Sequence, residues 1–254
     1  MALLEARNLS KHFGGLAAIS GLDLDVFDDE ILGLIGPNGA GKTTLFNVIS
    51  GFYPPTSGRV IFQGEDITGL RPDQIVQKGL GRTFQASTLF TKSTVFDNVF
   101  IGFHKNYESG ILKQFLHTAV ARKEEEAIKQ KVVEILEFMG LASLKDQLAG
   151  DLPHGHQRAV GICVALAVNP KLLLLDEPVT GMNPQETLTT MNLIRQIRDQ
   201  GTAIIVVEHD MRAVMGICDR IVVLNYGKKI AEGLPKEIRE NKDVIEAYLG
   251  REEA

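Results

Sequence analysis

The chain has 254 residues, 44% of them hydrophobic and 23% charged, the balance of a globular protein with its own core in one or two domains. A formal net charge of −5 argues against a nucleic-acid footprint, and no apolar run reaches the length that spans a bilayer. The start, Met1 to Arg7, lacks the basic-then-apolar pattern of a secretory leader, and the cysteines Cys163 and Cys218 lie in apolar stretches without metal-ligand spacing, as reduced core thiols of a cytosolic protein would.

In chain order, residues 3–8 make a first strand, followed by a turn at Phe13-Gly14-Gly15. Leu22-Asp23-Leu24-Asp25-Val26 alternates apolar and acidic with period two, which predicts a half-exposed strand in an antiparallel layer. Leu32 to Ile35 is apolar without strict alternation and suits a central parallel strand. It leads into Gly36-Pro37-Asn38-Gly39-Ala40-Gly41-Lys42-Thr43-Thr44, which fits the phosphate-binding pattern G-x-x-x-x-G-K-[ST], and then into a helix from Thr44. Strand, glycine loop and helix start are the context that gives this motif its meaning. Glycines let the backbone wrap an anion with successive N–H groups pointing inward, and the helix N-terminus adds partial positive charge. Lys42 reaches the outer phosphates, and the Thr43 hydroxyl can join a Mg²⁺ shell.

Val60-Ile61-Phe62, between Gly58 and Gly64, predicts another antiparallel strand, and residues 80–85 a short one. Helical character then takes over. Residues 95–100 read as helix, and Arg122 to Met139 as a longer one opening on Glu124-Glu125-Glu126. Its residues Ile128, Val132, Ile135, Leu136 and Met139 fall on one face, and Gly140 stops it. A helical subdomain is expected at 88–165, inserted between core lobes at 1–87 and 166–254. Within 102–121, Ile111, Leu112, Phe115 and Leu116 have helical spacing, which fits either a face packed on its own lobe or a partner-binding face.

Lys171 to Pro178 is an apolar run ending in Asp176-Glu177, the way a central strand delivers acids to a site at its carboxyl edge. A helix follows over 185–199, with Leu188, Met191, Ile194 and Ile197 on one side. Strand 203–207 ends at Glu208-His209-Asp210, and a helix leads to strand 220–224. Pro235 opens a helix, and a last one covers 244–249. Repeated strand–helix alternation predicts a parallel, doubly wound sheet.

A phosphate loop alone says only that a nucleotide is bound. Four further features stand in order: Gln85 at the end of Arg82-Thr83-Phe84-Gln85, the helix opening at Leu152-Pro153-His154-Gly155-His156-Gln157-Arg158, Asp176-Glu177 followed by Gly181-Met182-Asn183, and His209 after the next strand. Over essentially its whole length the chain resembles the ATP-binding cassette (ABC) ATPases. Arg82 to Gln85, the region 104–126, residues 181–186, Glu208-His209-Asp210-Met211 and the tail 243–250 look like the ATP-binding subunits of branched-chain amino-acid importers.

The resemblance implies an α/β P-loop NTPase fold of the ABC type, with a RecA-like core, an antiparallel β layer and an inserted helical subdomain. It implies ATP and Mg²⁺ as ligands and a role for each motif residue. Phe13 would stack on adenine, against a packing role as the alternative. Asn38, Gly39, Gly41, Lys42, Thr43 and Thr44 would hold the phosphates. Asp176 would join Thr43 at the metal, against a strand-end salt bridge. Glu177 would act as general base or orient the attacking water. His209 would contact the γ-phosphate. Gln85 would touch metal or water, against the reading of a surface glutamine.

One stretch departs from the family pattern. Where Leu-Ser-Gly-Gly-Gln is usual, this chain has Leu152-Pro153-His154-Gly155-His156. In the family this segment faces the nucleotide of a second subunit, so Pro153, Gly155 and His156 would border a partner's site, without the usual serine hydroxyl. Proline suits a first helical position, and Gly155 at a helix start can still face an anion. The implied assembly is a heterodimer of cassettes, with a homodimer as the alternative. It would lie on transmembrane permease subunits at the cytoplasmic face of the inner membrane, with a periplasmic or extracellular solute-binding protein acting indirectly. The rival readings are a lipid or lipopolysaccharide exporter ATPase, a soluble ABC protein acting on ribosomes or chromosomes, and a non-hydrolysing regulatory subunit.

Overall fold

The structure is a computed structural model that describes residues 2–83, 89–106 and 119–249. Gln85, the helical pattern at 111–116 and Gly250 lie outside the described residues. The chain divides into two compact units, Met1–Arg82 with Lys171–Ala254, and Thr83–Pro170.

The first unit opens with β1 (Leu4–Phe13), β2 (Leu16–Val26) and β3 (Ile31–Ile35), then α1 (Lys42–Ile49), β4 (Ser57–Phe62), β5 (Glu65–Asp66), α2 (Pro72–Gln77) and β6 (Leu80–Arg82). The second unit contributes α3 (Val95–Gly102), α4 (Ala119–Phe138) and α5 (His154–Leu166). The chain then returns to the first with β7 (Leu172–Asp176), α6 (Pro184–Asp199), β8 (Ala203–Val207), α7 (Met211–Ile217), β9 (Arg220–Asn225), β10 (Lys228–Gly233), α8 (Pro235–Glu240) and α9 (Lys242–Leu249).

Among the described residues these strands form two sheets, ordered β2-β1-β4-β5 and β10-β9-β3-β8-β7-β6. The first is antiparallel throughout. The second is parallel from β9 to β6, with β10 antiparallel at its edge. Both kinds of strand follow from sequence period. In β2, Leu22, Leu24 and Val26 are buried while Asp23 and Asp25 are not. In β3, β7 and β8 every residue is buried, as strands covered on both faces require. Each of the four fully buried leucines of β7 contributes about 1.5–3 kcal/mol of transfer free energy. Gly33 in β3 is needed for packing, because a Cβ there would stand 2.9 Å from Cys218 Sγ and 3.0 Å from Val214 Cγ1.

β3 lies between β8 and β9. Connections diverge to its two sides, so a crevice opens at its carboxyl end, the place where such sheets bind ligands.

Several local expectations are corrected. The first strand does not stop near Asn8 but runs to Phe13. Asn8 turns left-handed (φ 46) and breaks the register with both neighbours, so the bulged strand continues past the residue that reads as its end. Strand 80–85 ends at Arg82. α4 is already helical at Ala119, so Glu124 to Glu126 lie inside it and not at its start. Its buried face carries Ile128, Val132 and Leu136, with Met139 following. Gly140 (φ 70) ends it, and Leu141 N donates to Leu136 O (2.7 Å), the six-to-one bond of a Schellman motif. On α6, Met191, Ile194 and Ile197 are buried, but Leu188 is 60% exposed and leaves the expected stripe. Short α2 and edge strand β10, rich in charge, have no strong periodicity and were not foreseen.

In the second unit, Thr94 and Asp97 close a capping box at the start of α3. A Cβ on Gly102 would stand 2.8 Å from Ala167 Cβ, so the end of α3 approaches the end of α5 at glycine distance. Among the described residues, no helix is long and apolar enough to cross a membrane.

Candidate active site at the phosphate-binding loop

The loop after β3 is shaped by its neighbours. Gly41 is the N-cap of α1 with φ 105, and a Cβ there would stand 2.5 Å from Ala18 O on β2. Only glycine fits that combination of dihedral and space. Leu45 N donates to Gly41 O (2.9 Å), so the helix starts directly at the loop. Lys42 is 7% exposed, and its Nζ donates to Gly36 O (2.6 Å) and Pro37 O (3.0 Å). The cation is thereby held in the bowl of the loop. A cavity of about 370 Å³ opens here, and Phe13, Asn38, Gly39, Gly41, Lys42, Thr43, Thr44, Glu177 and His209 all line it.

Glu177 follows the last residue of β7. Its φ of 51 is left-handed, at a cost of about 1–2 kcal/mol for a residue with a Cβ. Tertiary bonds hold it there. Glu177 N donates to Val207 O at the end of β8 (2.9 Å). Two residues on, Val179 N donates to the buried Glu208 Oε1 (2.7 Å), and His209 N donates to Glu208 Oε2 (3.2 Å). Glu208 thus ties together the loops after β7 and β8. Burial pushes its carboxyl above the ordinary value, while those two backbone donors pull the other way. The result is a short contact of 2.6 Å between His209 Nε2 and Glu177 Oε1. A carboxylate only accepts, so His209 Nε2–H is the donor. Asp210 caps α7 by accepting from Arg212 N (2.8 Å) and Ala213 N (3.2 Å), which fixes the loop carrying His209 from its other side.

Asp176 is 6% exposed. Metal binding and a salt bridge stood as alternatives for it, and an ion pair is present: Arg82 Nη2 stands 3.7 Å from Asp176 Oδ2, both side chains buried. Arg82 Nη1 donates to Asn47 Oδ1 (2.7 Å) on α1 and to Oγ of its C-cap, Ser50 (2.8 Å). Its guanidinium also lies 5.6 Å from the rings of both Phe46 and Phe52. Burial lowers its pKa, and Asp176 offsets part of that. Arg82 thus links the acid of β7 to the helix that begins at the loop.

Phe13 is 43% exposed and meets Tyr53 edge-on at 5.3 Å, with Lys11 Nζ 5.0 Å from its ring. It packs on Tyr53 at the rim and also lines the cavity, with 43% of its surface left open. Asn183 has a structural duty: its Oδ1 accepts from Gln185 N and Glu186 N (2.9 Å each), and Glu186 answers in a capping box for α6.

In the second unit, Pro153 is exposed and is the N-cap of α5 (φ −54, ψ 149), one residue before the expected first helical position. No side chain caps this helix and its first turn has no acid. His154, Gly155 and His156 form that turn.

The residues present fit a nucleotide with Mg²⁺. The loop is a glycine-shaped cradle around a buried lysine. Among the described residues no group of three or more His, Cys, Asp or Glu could hold a metal alone. Mg²⁺ in phosphate sites asks for less, one or two protein oxygens beside the substrate's own, and Thr43 and Asp176 are of that kind.

Three features escaped the sequence reading. Arg82 carries its signal only in being a charge at the end of an apolar strand. Glu208 reads as one more strand-end acid. Tyr226 also lines the cavity, with no sequence signal beyond the Tyr-Gly turn.

A family model described as ABC transporter matches residues 19–180, and the chain belongs to that family of P-loop ATPases, whose cassettes hydrolyse ATP to drive transport. A second model, described as branched-chain amino acid ATP-binding cassette transporter, matches residues 228–254. The chain is 41% identical over 249 residues, 98% of each chain, to the high-affinity branched-chain amino acid transport ATP-binding protein LivG of Escherichia coli (strain K12). It is 40% identical, again over 98% of each, to the corresponding protein BraF of Pseudomonas aeruginosa. Among solved structures, a nucleotide-free ATP-binding cassette from an ABC transporter superposes with a TM-score of 0.86 at 34% identity, over 98% of this chain and 99% of that one. The ADP conformation of an ABC-transporter cassette gives the same score, identity and coverage.

Proposed function

We propose that this chain is the ATP-hydrolysing subunit of an importer for branched-chain or related amino acids. One observation carries the catalytic reading: Glu177 and His209, delivered by neighbouring strands, meet at 2.6 Å on the wall of the phosphate-loop cavity. Phe13 faces adenine. Asn38, Gly39, Gly41, Lys42, Thr43 and Thr44 hold the phosphates through backbone and side chain. Thr43 and Asp176 would hold Mg²⁺, which would supply charge neutralisation for the transferred phosphoryl group. Glu177 takes a proton from the attacking water or orients it. His209 holds Glu177 and faces the γ-phosphate. Gln85, outside the described residues, belongs by resemblance to the same group.

The second half of the site comes from another cassette, a heterologous one. This chain lends Pro153, Gly155 and His156 to the partner's nucleotide, where proline supplies neither hydroxyl nor N–H. Permease subunits bind the pair at the cytoplasmic face of the membrane. The identity to LivG and BraF, with the match at 228–254, supports the choice of solute.

Isolation of the chain with its native membrane complex, followed by reconstitution in vesicles, tests the reading. Permease subunits and a second cassette should co-purify, and ATP should drive leucine uptake when the solute-binding protein is added. Co-purification with lipid-exporter subunits, or ATP-independent uptake, would count against it.

A further inference from the structure

We propose that Tyr226 is a second aromatic wall of this site and contacts the nucleoside end of the nucleotide, alongside Phe13. The inference rests on the nucleotide reading above and adds a residue to it.

Tyr226 lines the same cavity as Phe13, Leu16 and the phosphate loop. It stands in the two-residue loop joining β9 to β10, where Asn225 pairs with Lys228. Both loop residues are left-handed, Tyr226 at φ 45 and Gly227 at φ 75. That is the pattern of a type I′ hairpin turn, whose first central position favours Asn, Asp or Gly. A bulky side chain there is a true outlier. Packing does not compensate, because Tyr226 is 74% exposed. An aromatic ring therefore stands where local conformation disfavours it and the core does not use it. Such conflicts are expected at functional positions.

The turn is also fixed to the phosphate loop. Gly227 N donates to Ala40 O (2.9 Å), and Gly227 O accepts from Ser20 N (2.9 Å). A Cβ on Gly227 would stand 2.7 Å from Ala18 O, so the turn sits hard against β2. The position of the turn relative to the phosphate loop is thereby set by rigid neighbours. Its ring carries no positive charge for a phosphate, but it offers a face for a base and a hydroxyl for a ribose. Phe13 and Leu16 come from the other hairpin, β1–β2, and pair across it. Two hairpin ends thus supply the apolar side of one cavity, and the loop supplies its polar side.

Calorimetric titration of the full chain with MgADP and with inorganic pyrophosphate separates the two sides. Tyr226→Asn should weaken ADP binding by about five- to twentyfold, the order of one lost aromatic–base contact, and leave pyrophosphate affinity within about twofold. Its Tm should be unchanged or higher, since Asn tolerates the left-handed turn. Tyr226→Phe should keep most of the ADP affinity. ADP binding by Tyr226→Asn equal to wild type would overturn the inference. So would equal losses for ADP and pyrophosphate, which would mean that the turn acts only by supporting the loop. If the wild-type chain binds neither ligand, the nucleotide reading fails and the inference fails with it.

Discussion

Glu177 has a left-handed backbone whose N–H donates to Val207 O, and its carboxylate meets His209 at 2.6 Å. The least visible of its supports is Glu208, buried and accepting two backbone N–H groups. Burial raises its carboxyl above the ordinary 4.5. The folded state then binds that proton more tightly than the unfolded chain does. Its contribution favours folding below pH 4.5 and is lost as pH climbs through the raised value. Glu208→Gln keeps an acceptor for Val179 N–H and removes the titration. The Tm difference, variant minus wild type, should therefore become more positive from pH 4.5 to pH 8. A difference flat across that range would show that the buried carboxyl carries no such charge cost. Residues belonging to a spaced motif, such as Lys42, Thr43 and Asp176-Glu177, were legible in the sequence. Glu208, Arg82 and Tyr226 were not, because their meaning lies in partners far along the chain.

At the scale of elements, legibility followed period and burial. The all-apolar strands β3, β7 and β8 and the alternating end of β2 declared themselves. The far half of β1 was hidden by a bulge, and β10 by its charges. Helix α5 shows the functional side of such detail. Its N-cap is Pro153, which offers no side-chain acceptor. Pro153→Ser restores an N-cap acceptor worth about 0.5–2 kcal/mol, while a looser unfolded chain costs about 0.4–1 kcal/mol. The two nearly cancel, so Tm should change little. In the reconstituted complex, with this segment facing a partner's nucleotide as proposed, the added hydroxyl should raise ATP turnover several-fold. Unchanged turnover both alone and with the cognate cassette would remove Pro153 from the proposed contact with a partner's nucleotide.

For the whole molecule, the parallel sheet places the phosphate loop and both acid-bearing strand ends at one carboxyl edge, where β3 divides the connections. That arrangement and the ABC class were foreseeable, because five ordered motifs leave few other folds. The identity of the second chain was not, since it lies in residues this chain does not contain. Glu177→Gln tests the account most directly, with ATP binding and ATP hydrolysis measured in the reconstituted transporter. On the proposed role of Glu177, as base or as the group that orients water, hydrolysis should slow by about a hundredfold or more, while ATP binding persists and the cassettes stay closed as an ATP-bound dimer. Hydrolysis by the variant at the wild-type rate would contradict the assignment of Glu177 and the reading of the cavity as the hydrolytic site.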